Sequence, residues 1–198
     1  MTTPRTAPVL GIQRLLWIVS GSSTASGTPF WLSWFRTHLT DIDLQIVLTR
    51  SAMPFVARHD LQRQPGTRVV LDDWESDGHA KHVEFSEWAQ AILIYPATFH
   101  YTARLALGLA DTPSLLAAQC TSATIAVAPS LPPGGSQSSA YQQHQESLTA
   151  RKNIVLVPPR PGASLTTGRQ DAWVPPPLPE VLQQLESHRT WAARANLG

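Results

Sequence analysis

The chain has one cysteine, Cys120, in 198 residues, so an internal disulfide is impossible and a cysteine-based structural zinc site is excluded with it. Charged residues make up only 15% of the sequence and nearly cancel, leaving a formal net charge of +1 with no long basic run. Without a cationic surface to follow a phosphate backbone, nucleic acid is not an expected partner. No apolar stretch reaches the ~20 residues needed to span a bilayer, so no membrane partner is expected. The N-terminus MTTPRTAPVLG lacks the apolar centre of a signal peptide, which makes the cytoplasm the expected location. Neither a GxGxxG fingerprint nor a P-loop with its lysine is present.

What is present is a 42% hydrophobic content arranged in short runs. LLWIV (15–19), LQIVL (44–48), AILIY (91–95), ATIAVA (123–128) and IVLV (154–157) read as strands, with 69–71 as a short further one. Continuous branched runs of this length suit strands buried on both faces. Helical patterns intervene: PFWLSWFRTHL after the first strand, a helix opening near Pro54, one over 102–110 that 114–119 continues, and an amphipathic helix over 182–195. Strands alternating with helices predict an α/β fold, a doubly wound, mostly parallel, Rossmann-like (flavodoxin-like) sheet in a single domain. Ligands of such sheets bind beyond the carboxyl ends of the strands, so loops 20–28, 49–54, 96–101 and 129–135 are expected to converge on one crevice.

Residues 1–13 read as a flexible arm and 14–198 as the domain. Within it, loop 130–150 and segment 158–179 are rich in Pro, Gly and Ser and read as non-core. Cys120, in the small-residue run AAQCTSATIAV, reads as an inert buried thiol.

Chemistry-bearing residues are few. Ser20-Gly21-Ser22-Ser23-Thr24, between strand and helix, can approach an anion with small side chains and donate to it from hydroxyls and free N–H groups, or can simply cap a turn. Thr49 and Ser51 can add hydroxyls from the next loop or cap a helix at Pro54. His38, His144 and His188 read as solvated. His79 and His82 lack the partners of a zinc pattern, so no metal is expected. His82 alone is suited to proton transfer near neutral pH.

Pro96-Ala97-Thr98-Phe99-His100-Tyr101, followed by Gly108 and Asp111, resembles the P-A-S/T-A-N-T and G-x-x-D corner of the homo-oligomeric flavin-containing cysteine decarboxylases, above all the peptidyl-cysteine decarboxylases of lantibiotic biosynthesis. That family's catalytic histidine precedes the proline by fourteen residues, as His82 precedes Pro96. Thr166-Thr167-Gly168-Arg169 resembles the Ser/Thr-Gly-Arg segment of the family's substrate clamp. Two departures stand out. Phe99, His100 and Tyr101 replace Ala, Asn and Thr, and Pro129-Ser130-Leu131-Pro132 replaces the start of P-x-M-N-x-x-M-W, putting Pro132 where relatives carry a flavin- and substrate-touching Asn.

The resemblance implies FMN or FAD as cofactor and His82 as the catalytic residue. It implies a flavin site at Gly21, Ser22, Ser23, Thr49, Ser51, Pro96, Ala97, Thr98, His100 and Tyr101. Substrate contacts are implied at Pro129, Leu131, Pro132, Thr167, Gly168 and Arg169, with 158–179 as a mobile clamp. The implied reaction oxidises and decarboxylates the C-terminal cysteine of a ribosomally made precursor peptide, giving an enethiol for an aminovinyl-cysteine ring. Implied partners are that peptide, other peptide-modifying enzymes, and further copies of the chain in a homo-trimer or dodecamer. The phosphopantothenoylcysteine branch typically carries a clamp cysteine, which this clamp lacks. A flavin-binding regulatory or scaffold subunit is the alternative that Pro132 raises.

Overall fold

Six parallel strands form the central sheet of the computed structural model: β1 (Arg14–Val19), β2 (Asp43–Leu48), β3 (Thr67–Leu71), β4 (Ala91–Thr98), β5 (Thr124–Ser130) and β6 (Ile154–Leu156), in the order β3-β2-β1-β4-β5-β6. Residues 7–74, 80–164 and 167–195 are described. Every neighbouring pair in this sheet runs parallel. The doubly wound α/β expectation therefore holds.

Side chains that alternate along each strand divide the core in two. Leu15, Trp17 and Val19 of β1, with Ile46 and Leu48 of β2 and Leu93 and Tyr95 of β4, face one layer. That layer is covered by α1 (Thr28–His38), α2 (Arg58–Gln62) and α7 (Leu178–Ala195), through residues such as Phe35, Leu61 and Leu182. Leu16, Ile18, Ile92, Ile94 and Val127 face the opposite layer, covered by α3 (Lys81–Trp88), α4 (Phe99–Ala106), α5 (Pro113–Cys120) and α6 (Ser139–Thr149). Trp17 is fully buried at the sheet's centre, opposite Ile46 on one side and Leu93 on the other. Its indole N–H donates to the Tyr95 carbonyl at 2.6 Å. Truncating it to alanine should cost about 3–5 kcal/mol.

Several local expectations are corrected. The helix predicted over 102–119 is two helices. Gly108 adopts φ 74°, Leu109 N–H donates to Arg104 O at 2.9 Å and Gly108 N–H to Leu105 O at 3.3 Å. This is a Schellman stop, which a left-handed glycine permits and which periodicity alone runs through. No helix opens at Pro54: a 3-10 turn, Arg50–Ala52, follows Thr49, and α2 starts only at Arg58. His82 lies on the first turn of α3, a helix with only Lys81 and Phe85 buried, so its sequence carries almost no apolar periodicity.

Loop 130–150 is largely ordered, with a 3-10 turn at Gly135–Gln137 and then α6, which the Ser/Gln composition concealed. Within 158–179, β7 (Arg160–Gly162) pairs antiparallel with β8 (Ala172–Val174), and α7 begins at Leu178 rather than 182. Cys120 is exposed, not buried, because it ends α5 on the side opposite the packed Leu115, Ala117 and Ala118. Of the expected N-terminal arm, Ala7, Leu10 and Ile12 pack against the core, and residues 1–6 lie outside those described.

Candidate functional site

β1 leads to a helix on one side of the sheet and β4 to helices on the other, so a crevice opens between the carboxyl ends of these neighbouring strands. Hydroxyl groups tie its rim together. Ser20 Oγ donates to Pro96 O at 2.8 Å and accepts from Thr98 N–H at 2.8 Å, locking the end of β1 to that of β4. Thr24 Oγ1 meets Ser130 Oγ at 3.1 Å, linking the first loop to β5. Thr49 Oγ1 donates to Val19 O at 3.2 Å and lies 3.0 Å from Ser51 Oγ.

The first loop does not run straight into α1. Ser22 accepts from Thr24 N–H and caps a 3-10 turn over Ser23–Gly27 that precedes it. Gly21 is required by close approach: a Cβ there would lie 2.6 Å from the Ser51 Cβ and closer still to the Ser51 carbonyl.

A cavity of about 550 Å³ sits in this crevice. Gly21, Ser22 and Ser23 line it from the first loop, Phe55 from the second, Thr98, Phe99 and His100 from the third, and Ser130 to Pro133 from the fourth. The convergence expected of the four loops is thus observed, the second being represented by the residue just past its expected end. Ala163, Ser164, Thr167 and the β8 residues Ala172, Trp173 and Val174 close it from the clamp segment. The hairpin is fastened there by reciprocal backbone bonds between Leu131 and Trp173, 2.8 and 3.1 Å, and by Tyr95 Oη donating to Pro176 O. Ser164 and Gly168–Arg169 form a backbone-bonded turn, with Arg169 paired to Asp171 at 2.6 Å.

Of the sequence-predicted residues, the structure brings Gly21, Ser22, Ser23, Thr98, His100, Leu131, Pro132 and Thr167 to the cavity wall. Ala97 and Pro129 pair with each other at the ends of β4 and β5, and so set the wall's backbone rather than line it. Thr49, Ser51 and Pro96 support the rim. Gly168 and Arg169 stay in the clamp turn, and Thr166 and His79 lie outside the described residues.

Tyr101 points away. Its ring is 2% exposed in the second core layer, and its hydroxyl lies 2.7 Å from Ser114 Oγ. Burial raises its pKa well above the ordinary phenol range. Ser114 also donates from N–H and Oγ to Asp72, at 2.9 and 2.7 Å. Burial raises the Asp72 pKa despite those donors.

His82 does not line the cavity. It sits at the start of α3, at the same carboxyl-end rim, because α3 returns the chain from β3 to the parallel strand β4. Its Nδ1 is buried and makes no hydrogen bond, and its ring meets Trp74 edge-to-face, with centroids 5.6 Å apart. Nearby, Arg104 grips Asp111 at 2.5 Å and holds that carboxyl below its ordinary pKa.

A wider trough of about 900 Å³ lies along β3 between Arg58 and Glu84. It is lined by none of the predicted site residues and by no strand's carboxyl-terminal residue, so the smaller cavity is the candidate site. Its volume lies within the range of small-molecule sites. Hydroxyls and small residues suit a phosphate, and Phe55 and Phe99 suit a planar ring, so the residues present fit a flavin. Among the lining residues His100 is the single titratable one.

Sequence reading missed Phe55, Ser130, Trp173 and Trp74. The aromatic residues in the loops after β2 and β3 and within the clamp were the available signal, and Ser130 stood between Pro129 and Leu131, both expected to touch substrate.

Among the described residues no helix is long and apolar enough to cross a membrane, and no cluster of three His, Cys, Asp or Glu could hold a metal. Residues 6–173 match the Flavoprotein family. The chain is 28% identical over 166 residues, 83% of its length and 85% of the relative's, to the cypemycin cysteine dehydrogenase (decarboxylating) of a Streptomyces species. It is 34% identical over 126 residues to the coenzyme A biosynthesis bifunctional protein CoaBC of Haemophilus influenzae, spanning 31% of that protein. Among solved structures it resembles the cypemycin decarboxylase CypD, with TM-score 0.78, 24% identity, and 94% and 98% of the two chains covered. It also resembles TvaF, an FMN-dependent cysteine decarboxylase from thioviridamide biosynthesis, with TM-score 0.67, 25% identity, and 74% and 90% covered.

Proposed function

The chain belongs to the Flavoprotein family, and on that premise we propose that it is an FMN-dependent decarboxylase of a peptide's C-terminal cysteine. The observation that carries this reading is the cavity at the strand switch point, hydroxyl-lined at one end and covered at the other by a hairpin bearing Trp173. Likeness to cypemycin cysteine dehydrogenase along most of both chains supports the reaction, and the FMN dependence of TvaF supports the cofactor.

Bound flavin would supply the two-electron acceptor. Ser22 and Ser23 would hold its phosphate end, Thr98 to His100 would form the wall beside its ring, and Leu131, Pro132 and Trp173 would cover the peptide and exclude water. A hydride leaves the cysteine Cβ, and the thiol proton passes to a nitrogen of His82, leaving a thioaldehyde β to the carboxylate. The Cα–carboxylate bond then breaks, carbon dioxide departs, and the electron pair left behind is delocalised into the C=S group to give the enethiolate. The enethiolate takes its proton back from His82, so one proton cycles through that ring.

Because His82 does not line its own chain's cavity, the reading includes a homo-trimer or a dodecamer of such trimers, in which a neighbouring chain brings the histidine to the flavin. Exposed Val83, Leu107 and Leu109, which flank His82 and its contacts in sequence, supply an apolar surface for that contact. The ribosomally made substrate suits a cytoplasmic location, where other peptide-modifying enzymes act on the same precursor. Pro132 favours a second reading, a flavin-binding scaffold subunit, since it offers no side-chain donor at the cavity wall.

The test is to incubate purified protein with several peptides ending in cysteine and follow their mass. Loss of one CO2 with two hydrogens is expected. Unchanged masses with flavin firmly bound would establish the scaffold reading instead.

A further inference from the structure

Trp74 poses a packing question. It sits three residues beyond the end of β3 with half of its surface in solvent, which is an unfavourable place for an indole. Two contacts hold it there. Its Nε1–H donates to the Asp111 backbone carbonyl at 2.9 Å, and its ring meets the His82 imidazole at 5.6 Å with the planes inclined by 66°. His82, for its part, has no hydrogen bond at its buried Nδ1, so among the described residues no carboxylate or carbonyl fixes the imidazole through that atom.

We infer that Trp74 is the positioning residue for His82: the indole, pinned through Asp111, takes the place of a hydrogen-bonded orienting group and holds the imidazole in its working rotamer. The inference rests on His82 being the proton carrier proposed above. Asp111 itself is held by Arg104, at 3.0 Å from Nε, so the anchor is braced from α4. Trp74 belongs to neither core cluster. Edge-to-face rings gain about 0.5–1.5 kcal/mol beyond area burial, enough to select one rotamer among a few. Loss of that alignment should lower the rate of proton transfer without weakening peptide binding.

The experiment compares flavin-loaded wild type, Trp74→Phe, Trp74→Ala and His82→Asn. Trp74→Ala should lower kcat by about two- to tenfold with KM unchanged within about twofold. Trp74→Phe, which retains a ring but loses the Nε1–H anchor, should fall between. Flavin occupancy, assembly size and the thermal midpoint should stay at wild-type values. Independently of activity, the His82 ring-proton resonances, assigned by their absence in His82→Asn, should move toward those of an exposed histidine in Trp74→Ala. Unchanged His82 resonances or an unchanged kcat in Trp74→Ala would overturn the inference, as would a loss of assembly that accounts for the loss of rate. If His82→Asn keeps full activity, the proposed function fails first; if only Trp74→Ala is silent, this inference alone fails.

Discussion

Replacing Gly21 with alanine should separate the two loops that form the hydroxyl-rich end of the cavity. The added methyl would sit 2.6 Å from the Ser51 Cβ, with the Ser51 carbonyl carbon and oxygen nearer still, against 3.4 Å where ordinary contact begins. Backbone cannot swing aside as a flexible side chain can, so the loops must part by roughly an ångström, at an overpacking cost of about 1–3 kcal/mol. Ser51 is also hydrogen-bonded to Thr49, which binds Val19 O, so the strain reaches the end of β1. Gly27→Ala is the control in the same loop, because its nearest neighbour would be Trp31 Cδ1 at 3.8 Å and its φ is −80°. Urea unfolding should show the loss for Gly21→Ala and a change within about 0.5 kcal/mol for Gly27→Ala. Flavin titration should show Kd weakened about tenfold for Gly21→Ala, equivalent to about 1.4 kcal/mol. Wild-type stability together with wild-type flavin affinity in Gly21→Ala would refute the placement of the cofactor's phosphate at this loop junction.

Tyr101→Phe should cost about 1–2 kcal/mol in thermal or urea unfolding through the lost hydroxyl contact with Ser114, while flavin affinity stays unchanged, because the ring faces the core. Asp72 prefers its protonated form in the fold, so the wild type should lose stability relative to Asp72→Asn as pH rises from its ordinary value of 3.8 through its raised folded value; urea unfolding at pH 4 and pH 7 measures the difference. Trp173→Ala should raise KM for the peptide about tenfold and leave flavin occupancy intact, since the Leu131–Trp173 pairing that fastens the hairpin is backbone-mediated.

The central strands were legible because they are buried on both faces and so form unbroken apolar runs, as in LLWIV and AILIY. Helices with one narrow buried stripe were not. On α6 only Tyr141 and Leu148 are buried, and on α3 only Lys81 and Phe85, so composition pointed to loop in the first case and to nothing in the second. The stop at Gly108 depends on a positive φ that a sequence permits but does not announce. Three-residue strands such as β7 and β8 carry no periodicity, and their pairing is fixed by tertiary contact with Leu131. In the site, backbone-supplied features followed from spacing, as at Gly21 to Ser23 and Thr98. Side-chain direction did not: Tyr101 and His100 are adjacent in α4, yet one enters the core and the other the cavity.

The central claim is that loss of carbon dioxide is coupled one-to-one to cysteine oxidation by the bound flavin. The direct measurement is anaerobic mixing of the flavin-loaded protein with excess peptide ending in cysteine, recording visible absorbance and released CO2 together. The account predicts bleaching of the flavin band with one CO2 released per flavin reduced. Carbon dioxide released without bleaching, or an unreduced flavin with the peptide intact, would contradict it.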